Sequence, residues 1–130
     1  MSYYFNATIS GKDFNDVIEL VTEELKKEGF GILTEIDVQA TFKKKLDIDF
    51  KKYRILGACN PPSALKAITS EDKIGVFLPC NVVVTENEAG EVEVSAVDPV
   101  ASMMAANNDA LGEVAFDIQT RLKKVISNLN

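Results

Sequence analysis

Histidine is absent from the 130-residue chain, and cysteine occurs only twice. Without histidine there is no side chain whose ordinary pKa lies near neutrality, and the commonest metal ligand is missing. Ser-His-Asp and Cys-His mechanisms within one chain are thereby excluded, as are zinc sites that use imidazole. Two thiols cannot make a four-thiolate site unless two chains contribute, so no metal site is expected within one chain. Long apolar runs are also lacking. Ile74 to Leu78 and Val82 to Val84 are short and stand beside Pro79 and Asn81, far from the roughly 18 residues a spanning helix needs. No membrane association is expected. The first residues, Met-Ser-Tyr-Tyr-Phe, show no basic segment followed by an apolar one, so the expected location is cytoplasmic.

Positive charge is in short supply, with a formal net charge of −6 and a pI near 4.7. Such a balance opposes the phosphate backbone that dominates nucleic-acid affinity, and no nucleic-acid partner is expected. The charge is unevenly spread. Lys43, Lys44, Lys45, Lys51, Lys52 and Arg54 crowd one stretch, and Glu86, Glu88, Glu91, Glu93 and Asp98 a later one. A basic patch can face an anionic ligand or the acidic patch of a second subunit, although two solvated faces of opposite sign are the plainer reading.

An apolar content of 46% in a chain of this length is enough for one domain with its own core, and nothing divides residues 1–130. Tyr3 to Ile9 alternates as a strand does and ends at Ser10-Gly11. From Asp13 onward Phe14, Val17, Ile18, Val21 and Leu25 recur at helical spacing, and Gly29 follows Lys26-Lys27 as a stop. Gly31 to Ile36 reads as a second strand, and Asp37 can cap a short helix running through Leu46. Tyr53 to Ala58 reads as a third strand. Asn60 before Pro61 is a favourable start for a helix to Ile68.

Ile74 to Leu78 and Cys80 to Thr85 read as one strand bent or bulged at Pro79, which cannot donate to a ladder. Glu86 to Gly90 forms a hairpin loop, and Val92, Val94 and Ala96 alternate with Glu93, Ser95 and Val97 in a fifth strand. Asp98-Pro99 opens a short helical segment holding Met103 and Met104, which Asn107-Asn108-Asp109 interrupts. The clearest stripe is the last: Leu111, Val114, Ala115, Ile118, Leu122, Val125, Ile126 and Leu129. The expected fold is α+β, a two-layer sandwich in which a largely antiparallel sheet is covered on one face.

Four ordered segments carry a resemblance. They are Gly29-Phe30-Gly31-Ile32-Leu33-Thr34-Glu35-Ile36-Asp37, then Tyr53-Arg54-Ile55-Leu56-Gly57-Ala58-Cys59-Asn60-Pro61-Pro62, Leu78-Pro79-Cys80-Asn81-Val82-Val83-Val84, and Val97-Asp98-Pro99. Together they resemble the DUF302 family, whose fold is also described as TT1751-like, over roughly residues 3 to 128. The resemblance implies a strand-helix-four-strand-helix order similar to the TATA-binding-protein-like class, with short helical insertions, and a homodimer. It implies no established activity or cofactor, and likeness to a DNA-binding fold is no warrant for DNA binding.

Several residues can carry chemistry. Cys59 ends one expected strand and Cys80 stands at the bend of another, each followed by an asparagine. If the strands are neighbours, the thiols can form a redox pair, act in sulfur transfer, or hold a soft ion such as copper(I). Free cysteine is equally at home as a small buried hydrophobe. Asn60 and Asn81 can bind a polar ligand or simply serve their turns. Glu35 and Asp37 lie two apart on a strand and so point to one face. Asp37 also suits an N-cap, whereas Glu35 has no such local explanation. Asp98 can bring a carboxylate to the same pocket or cap the helical turn that follows. Met103 and Met104 suit an adaptable pocket or a dimer contact. These residues define a ligand-binding homodimer with a pocket near Glu35, Cys59, Asn60, Cys80 and Asn81. The alternatives are a thiol enzyme, with Arg54 or Lys43 as the activating cation, and a soft-metal binder.

Overall fold

The computed structural model describes residues 2–130. Helix α1, Phe14–Lys27, starts where the Asp13 carboxylate accepts from the backbone N–H of Asp16 at 2.8 Å, which satisfies one of the orphan donors of the first turn. It buries Phe14, Val17, Val21 and Leu25, the face that the spacing of three and four predicts. The chain leaves it through Gly29 at φ +85, a left-handed position that glycine occupies without strain.

Strands β1 (Tyr4–Ile9), β2 (Gly31–Asp37), β3 (Tyr53–Cys59), β4 (Cys80–Glu86) and β5 (Val92–Val97) form one sheet in the order β1-β5-β4-β3-β2. Every neighbouring pair is antiparallel. Alternation sorts the strands into two faces. Ala7, Ile9, Leu56, Ala58, Val82, Val84, Val92, Val94 and Ala96 are buried beneath α1 and the long helix α5, Leu111–Ser127. The opposite face carries Tyr4, Tyr53, Asn81, Val83, Thr85, Ser95 and Val97, which line a shallow concavity of about 320 Å³. Helix α5 closes the core with Ile118, Leu122, Val125 and Ile126. The α+β two-layer fold, with its strand-helix-four-strand-helix order, is therefore as the sequence predicts.

The insertions hold the departures. Helix α2, Val38–Leu46, is capped by Asp37, which accepts from Ala40 N–H at 2.9 Å, and it buries none of its residues. Its aromatic contact is to the loop beyond, where Phe42 meets Phe50 edge-on at 5.2 Å and Phe50 stands 6.3 Å from Tyr53. Helix α3 runs Pro61–Ser70, one turn-half longer than expected.

The segment expected to be the first half of a bent strand is instead a 3-10 helix, Asp72–Phe77, and β4 begins only at Cys80. The physical reason is the spacing of its two inward residues. Ile74 is 1% exposed and Leu78 packs beside it, four positions on, while Val76 between them is 80% exposed. A strand would put all three on one face. Helix α4, Pro99–Met103, a 3-10 turn Met104–Ala106 and the left-handed Asn107 then lead into α5.

These insertions build a second hydrophobic cluster separate from the one under the sheet. Ala67 of α3, Ile74, Met103 of α4, and Leu111 and Ala115 of α5 are its buried members, with Leu78, Val100, Ala106 and Val114 around them. No helix among the described residues is long and apolar enough to cross a membrane.

Candidate functional site

A cleft of about 250 Å³ lies between the two clusters. The main cluster contributes Phe30, Ala58, Cys80 and Ile118, and the second contributes Ala67, Leu78, Met103 and Val114. Cys59, Asn60 and Ser63 stand where β3 gives way to α3, and Leu33 and Pro79 complete the rim. Leu33 reaches it through a bulge between β2 and β3, where the register slips between Ile32 and Thr34. Bulges re-aim side chains in this way. On α3 the inward positions Ala64 and Ala67 are small, whereas Leu65 is 69% and Ile68 43% exposed. The space exists because the inward residues of α3 are too short to fill it.

Gly57 holds Pro79 at the edge of this cleft. A methyl group there would run into Thr34 Oγ1 and lie 2.8 Å from Pro79 Cγ. Only hydrogen at that position lets Thr34 and Pro79 close over β3.

The strands of the two cysteines are neighbours, as expected. Cys80 opens β4 opposite Ala58, however, so alternation turns Cys59, one position on, towards the other face. What the two share is the cleft that both line. Both are free thiols, Cys59 half-buried and Cys80 buried. Burial pushes the Cys80 thiol up from 9.0 to about 11, and the neighbouring Cys59 adds to the shift. A thiol so placed keeps its proton at neutral pH, and the thiolate that attacks or ligates is disfavoured. Arg54 and Lys43, the cations foreseen as activators, are committed elsewhere: Arg54 pairs with Glu35 and Asp37, and Lys43 with Asp47 and Asp49.

Asn60 lines the cleft, and its amide is held at both ends. Its Oδ1 accepts from Ser63 N–H at 3.3 Å as the N-cap of α3, and its Nδ2 donates to the Glu28 carbonyl at 3.4 Å. The same carbonyl accepts from Arg121 Nη1 at 3.0 Å. Asn60 thus ties the end of α1 to the start of α3 and sets the depth of the cleft mouth.

The remaining candidates are dispersed. Glu35 and Asp37 do share a face, but that face meets Arg54, whose Nη1 donates to Glu35 Oε1 at 2.7 Å and whose Nη2 donates to Asp37 Oδ2 at 3.4 Å. Arg54 is five residues from Cys59, about 16 Å along β3 at ~3.3 Å per residue, and lies over the Phe14 ring at 5.7 Å. Its Nε is buried without a hydrogen-bond partner. Asn81 is exposed on the uncovered sheet face. Asp98 caps α4 through Val100 N–H and accepts from Gln119 Nε2 at 3.1 Å. Met103 lines the cleft, whereas Met104 is 64% exposed.

Sequence reasoning named Cys59, Asn60, Cys80 and Met103 and missed most of the apolar lining. Ala64 and Ala67, three apart and facing inward beside outward Leu65, were the available signal, with Ile68 at the edge of the same face. Among the described residues no group of three or more Cys, Asp or Glu side chains is placed to hold a metal ion.

The basic and acidic stretches meet within one chain. Lys51 and Lys52 share a cleft at the far end of the sheet with Glu86 and Glu88, and Glu86 N–H donates to the Lys52 carbonyl at 3.1 Å.

An open antiparallel sheet backed by two long helices on one face, with an apolar cleft at the β3–β4 end, defines a small two-layer α+β domain. The chain belongs to the DUF302 family, described as a domain of unknown function, whose model matches residues 5–129. It is similar to the crystal structure of an uncharacterized conserved DUF302 protein from Bacillus stearothermophilus, at 30% identity and a TM-score of 0.91 over the whole of both chains. No curated protein matches it.

Proposed function

We propose that the protein binds a small, mainly apolar molecule in the cleft between α3, α4, α5 and the β3–β4 end of the sheet. The observation that carries the reading is the lining itself: side chains that are nearly all aliphatic, with Cys59, Asn60 and Ser63 gathered at the mouth. Binding sites of this kind combine an apolar wall with a few polar groups that orient the ligand. A volume of about 250 Å³ exceeds the roughly 150 Å³ engineered cavity that admits benzene, so the cleft has room for a guest larger than one ring. The proposal sets the protein in the cytoplasm, where both thiols stay reduced.

Titration of nitrogen-labelled protein with hexanol tests this by amide chemical shift. Saturable shifts confined to Cys59, Ala67, Cys80 and Ile118, abolished by Ala67→Phe in a variant that keeps the native spectrum elsewhere, are expected. Shifts that stay linear in hexanol, or that survive the substitution, overturn the reading.

The adjacency of Cys59 and Cys80 supports a second reading, in which the thiols serve redox or sulfur-transfer chemistry or hold a soft ion. It requires an ionised thiol at neutral pH, and burial works against that at Cys80, leaving Cys59 as the reacting group. Alkylation rates against pH on the reduced protein test it: a reactive thiol ionising well below ~8.5 supports the thiol enzyme. Copper(I) uptake lost in Cys59→Ser and Cys80→Ser supports the metal reading, and two inert, metal-free thiols sink both.

Self-association of two copies through the uncovered sheet face completes the proposal. That face presents Tyr4, Tyr53, Val83 and Val97 with no charged side chain lining its concavity. Five strands at ~4.8 Å and six or seven residues at ~3.3 Å give roughly 500 Å² of flat area, short of the ~800 Å² per partner of a standard interface. The Phe42–Phe50 ledge beside Tyr53 has to contribute as well. A light-scattering mass of twice 14.2 kDa that falls to one copy in Val83→Glu is expected; a monomer at micromolar concentration overturns the dimer.

A further inference from the structure

A second cleft, again of about 250 Å³, meets the first at Met103; Val100, Leu111, Gly112 and Ala115 wall its inner part, and Asn107, Asn108 and the Asp109 carboxylate edge its opening. Among the described residues Met103 is the only one that lines both clefts. It is 5% exposed and belongs to the smaller cluster, and it stands where two spaces of equal size meet. Its supports are slight. Helix α4 has five residues, the 3-10 turn after it three, and Asn107 at φ 48 breaks the chain before α5 begins. Methionine is unbranched, with three rotatable bonds, and refills irregular gaps at little cost. No Lys, Arg, Asp or Glu lines the first cleft. Asn60 is already committed to Ser63 N–H and to the Glu28 carbonyl. The polar groups left at the mouth are therefore the Ser63 hydroxyl, the Cys59 thiol and the second Nδ2 proton of Asn60, none of them a cationic group.

We propose that Met103 is a movable partition and sets the chain length of the ligand, which is a straight aliphatic chain with one neutral hydrogen-bonding head. The head sits by Cys59 and Ser63, the chain runs between α3 and α5, and its far end displaces the Met103 side chain to enter the second cleft. The inference rests on the reading of the first cleft as the binding site, and roughly doubles the space open to a ligand there. A carboxylate head is disfavoured because no Lys or Arg lines the cleft and an unpaired charge is costly to desolvate. The nearby Arg121 already donates to the Glu28 carbonyl and pairs with Asp117.

The test is calorimetric titration of the full chain with hexanol, octanol, decanol and decanoate, for the native protein and the variants Met103→Phe and Gly112→Leu. Each methylene that leaves water strengthens binding about fourfold, and in the native protein that gain continues from hexanol through decanol. Met103→Phe fixes the partition, so the gain per methylene stops at or before octanol whatever its effect on hexanol itself, while Gly112→Leu, outside the first cleft, leaves hexanol binding as it is. Gly112→Leu fills the second cleft from α5, where a side chain at Gly112 meets nothing within 4 Å. It gives the same truncated series and replaces a helical glycine with a better helix former, which protects the fold. Decanoate binds at least about tenfold more weakly than decanol. A chain-length profile identical in all three proteins overturns the inference while hexanol binding leaves the first reading standing. Decanoate binding as tightly as decanol overturns the neutral head, and no hexanol binding in the native protein overturns both.

Discussion

The two hydrophobic clusters differ in how they are held. The one beneath the sheet joins α1 and α5 to four strands, and Val17, Val21, Leu25, Val82, Val84, Val94 and Leu122 in it are fully buried. The smaller one joins α3, a 3-10 helix, a five-residue α4 and the first turns of α5. Strands β3, β4 and β5 in the first are fixed by hydrogen bonds on either side. A short helix in the second is fixed by its own few bonds and by side chains that include Met103, Ala67 and Ala115. The difference teaches where a guest can enter. A close-packed core excludes foreign atoms, whereas the boundary between a rigid cluster and a loosely supported one can open at low cost.

Breaking the comparison from its rigid side gives the largest effect. Leu122→Ala removes a side chain that is 0% exposed beneath the sheet, where the surroundings cannot collapse, and costs about 4 kcal/mol in denaturant unfolding. Leu111→Ala, at 2% exposure in the smaller cluster, costs about 2 kcal/mol because α4 can settle into the space. Equal losses would show that the two clusters are equally rigid. Gly57→Ala strikes between them. The new methyl group meets Thr34 and Pro79, and overpacking of this kind costs about 2 kcal/mol. Thr34→Ala in the same chain restores part of that loss. A neutral Gly57→Ala would mean that Pro79 moves freely and does not form a fixed rim.

Cys80 belongs to the rigid cluster and also lines the cleft, so its titration reports on the boundary. Burial, with Cys59 in support, raises its folded pKa from 9.0 to about 11. Its thiol is then protonated in the folded chain while the unfolded chain releases the proton. The contribution is fully present below the unfolded pKa and is lost as pH rises through the folded one, which sets a window from about 9 to about 11. Native protein should lose about 2 kcal/mol across that window relative to Cys80→Ala. Parallel curves for the two proteins would mean that water reaches Cys80 and that the cleft is wetter than its lining indicates.

The elements of the rigid cluster were legible in the sequence because each carries one period over many residues, as in the stripe from Leu111 to Leu129. The insertions were less so. Ile74 to Leu78 reads as a strand when its apolar residues are counted, and only burial shows that Ile74 and Leu78 point in while Val76 points out. The site was legible in part. The β3–β4 register sets Cys80 opposite Ala58 and so brings Cys59 and Cys80 to one cleft, which no spacing of residues reveals. The walls were hidden because a cavity is made by small residues, and Ala58, Ala64 and Ala67 announce nothing when read singly. Glu35 drew attention as an acid among apolar neighbours, and its explanation is a cross-strand partner, Arg54, nineteen positions away.

Glu35 therefore offers the smallest and most discriminating change. The carboxylate is 46% exposed and the Arg54 side chain 24%, so solvent screens the pair and its loss is worth less than about 1 kcal/mol. Glu35→Gln keeps a hydrogen-bond acceptor within reach of Arg54, and Asp37 still pairs with the guanidinium at 3.4 Å. Arg54 also keeps its place over the Phe14 ring, so the strand end stays ordered. The expected result is a midpoint shift within about 1 kcal/mol by denaturant unfolding and hexanol affinity equal to that of the native protein. Arg54→Met, which abandons both carboxylates, should cost more than Glu35→Gln and still leave hexanol binding intact. If Glu35→Gln weakened hexanol while stability held, the two ends of β3 would be coupled, and the flexible boundary would extend through the sheet instead of ending at Cys59.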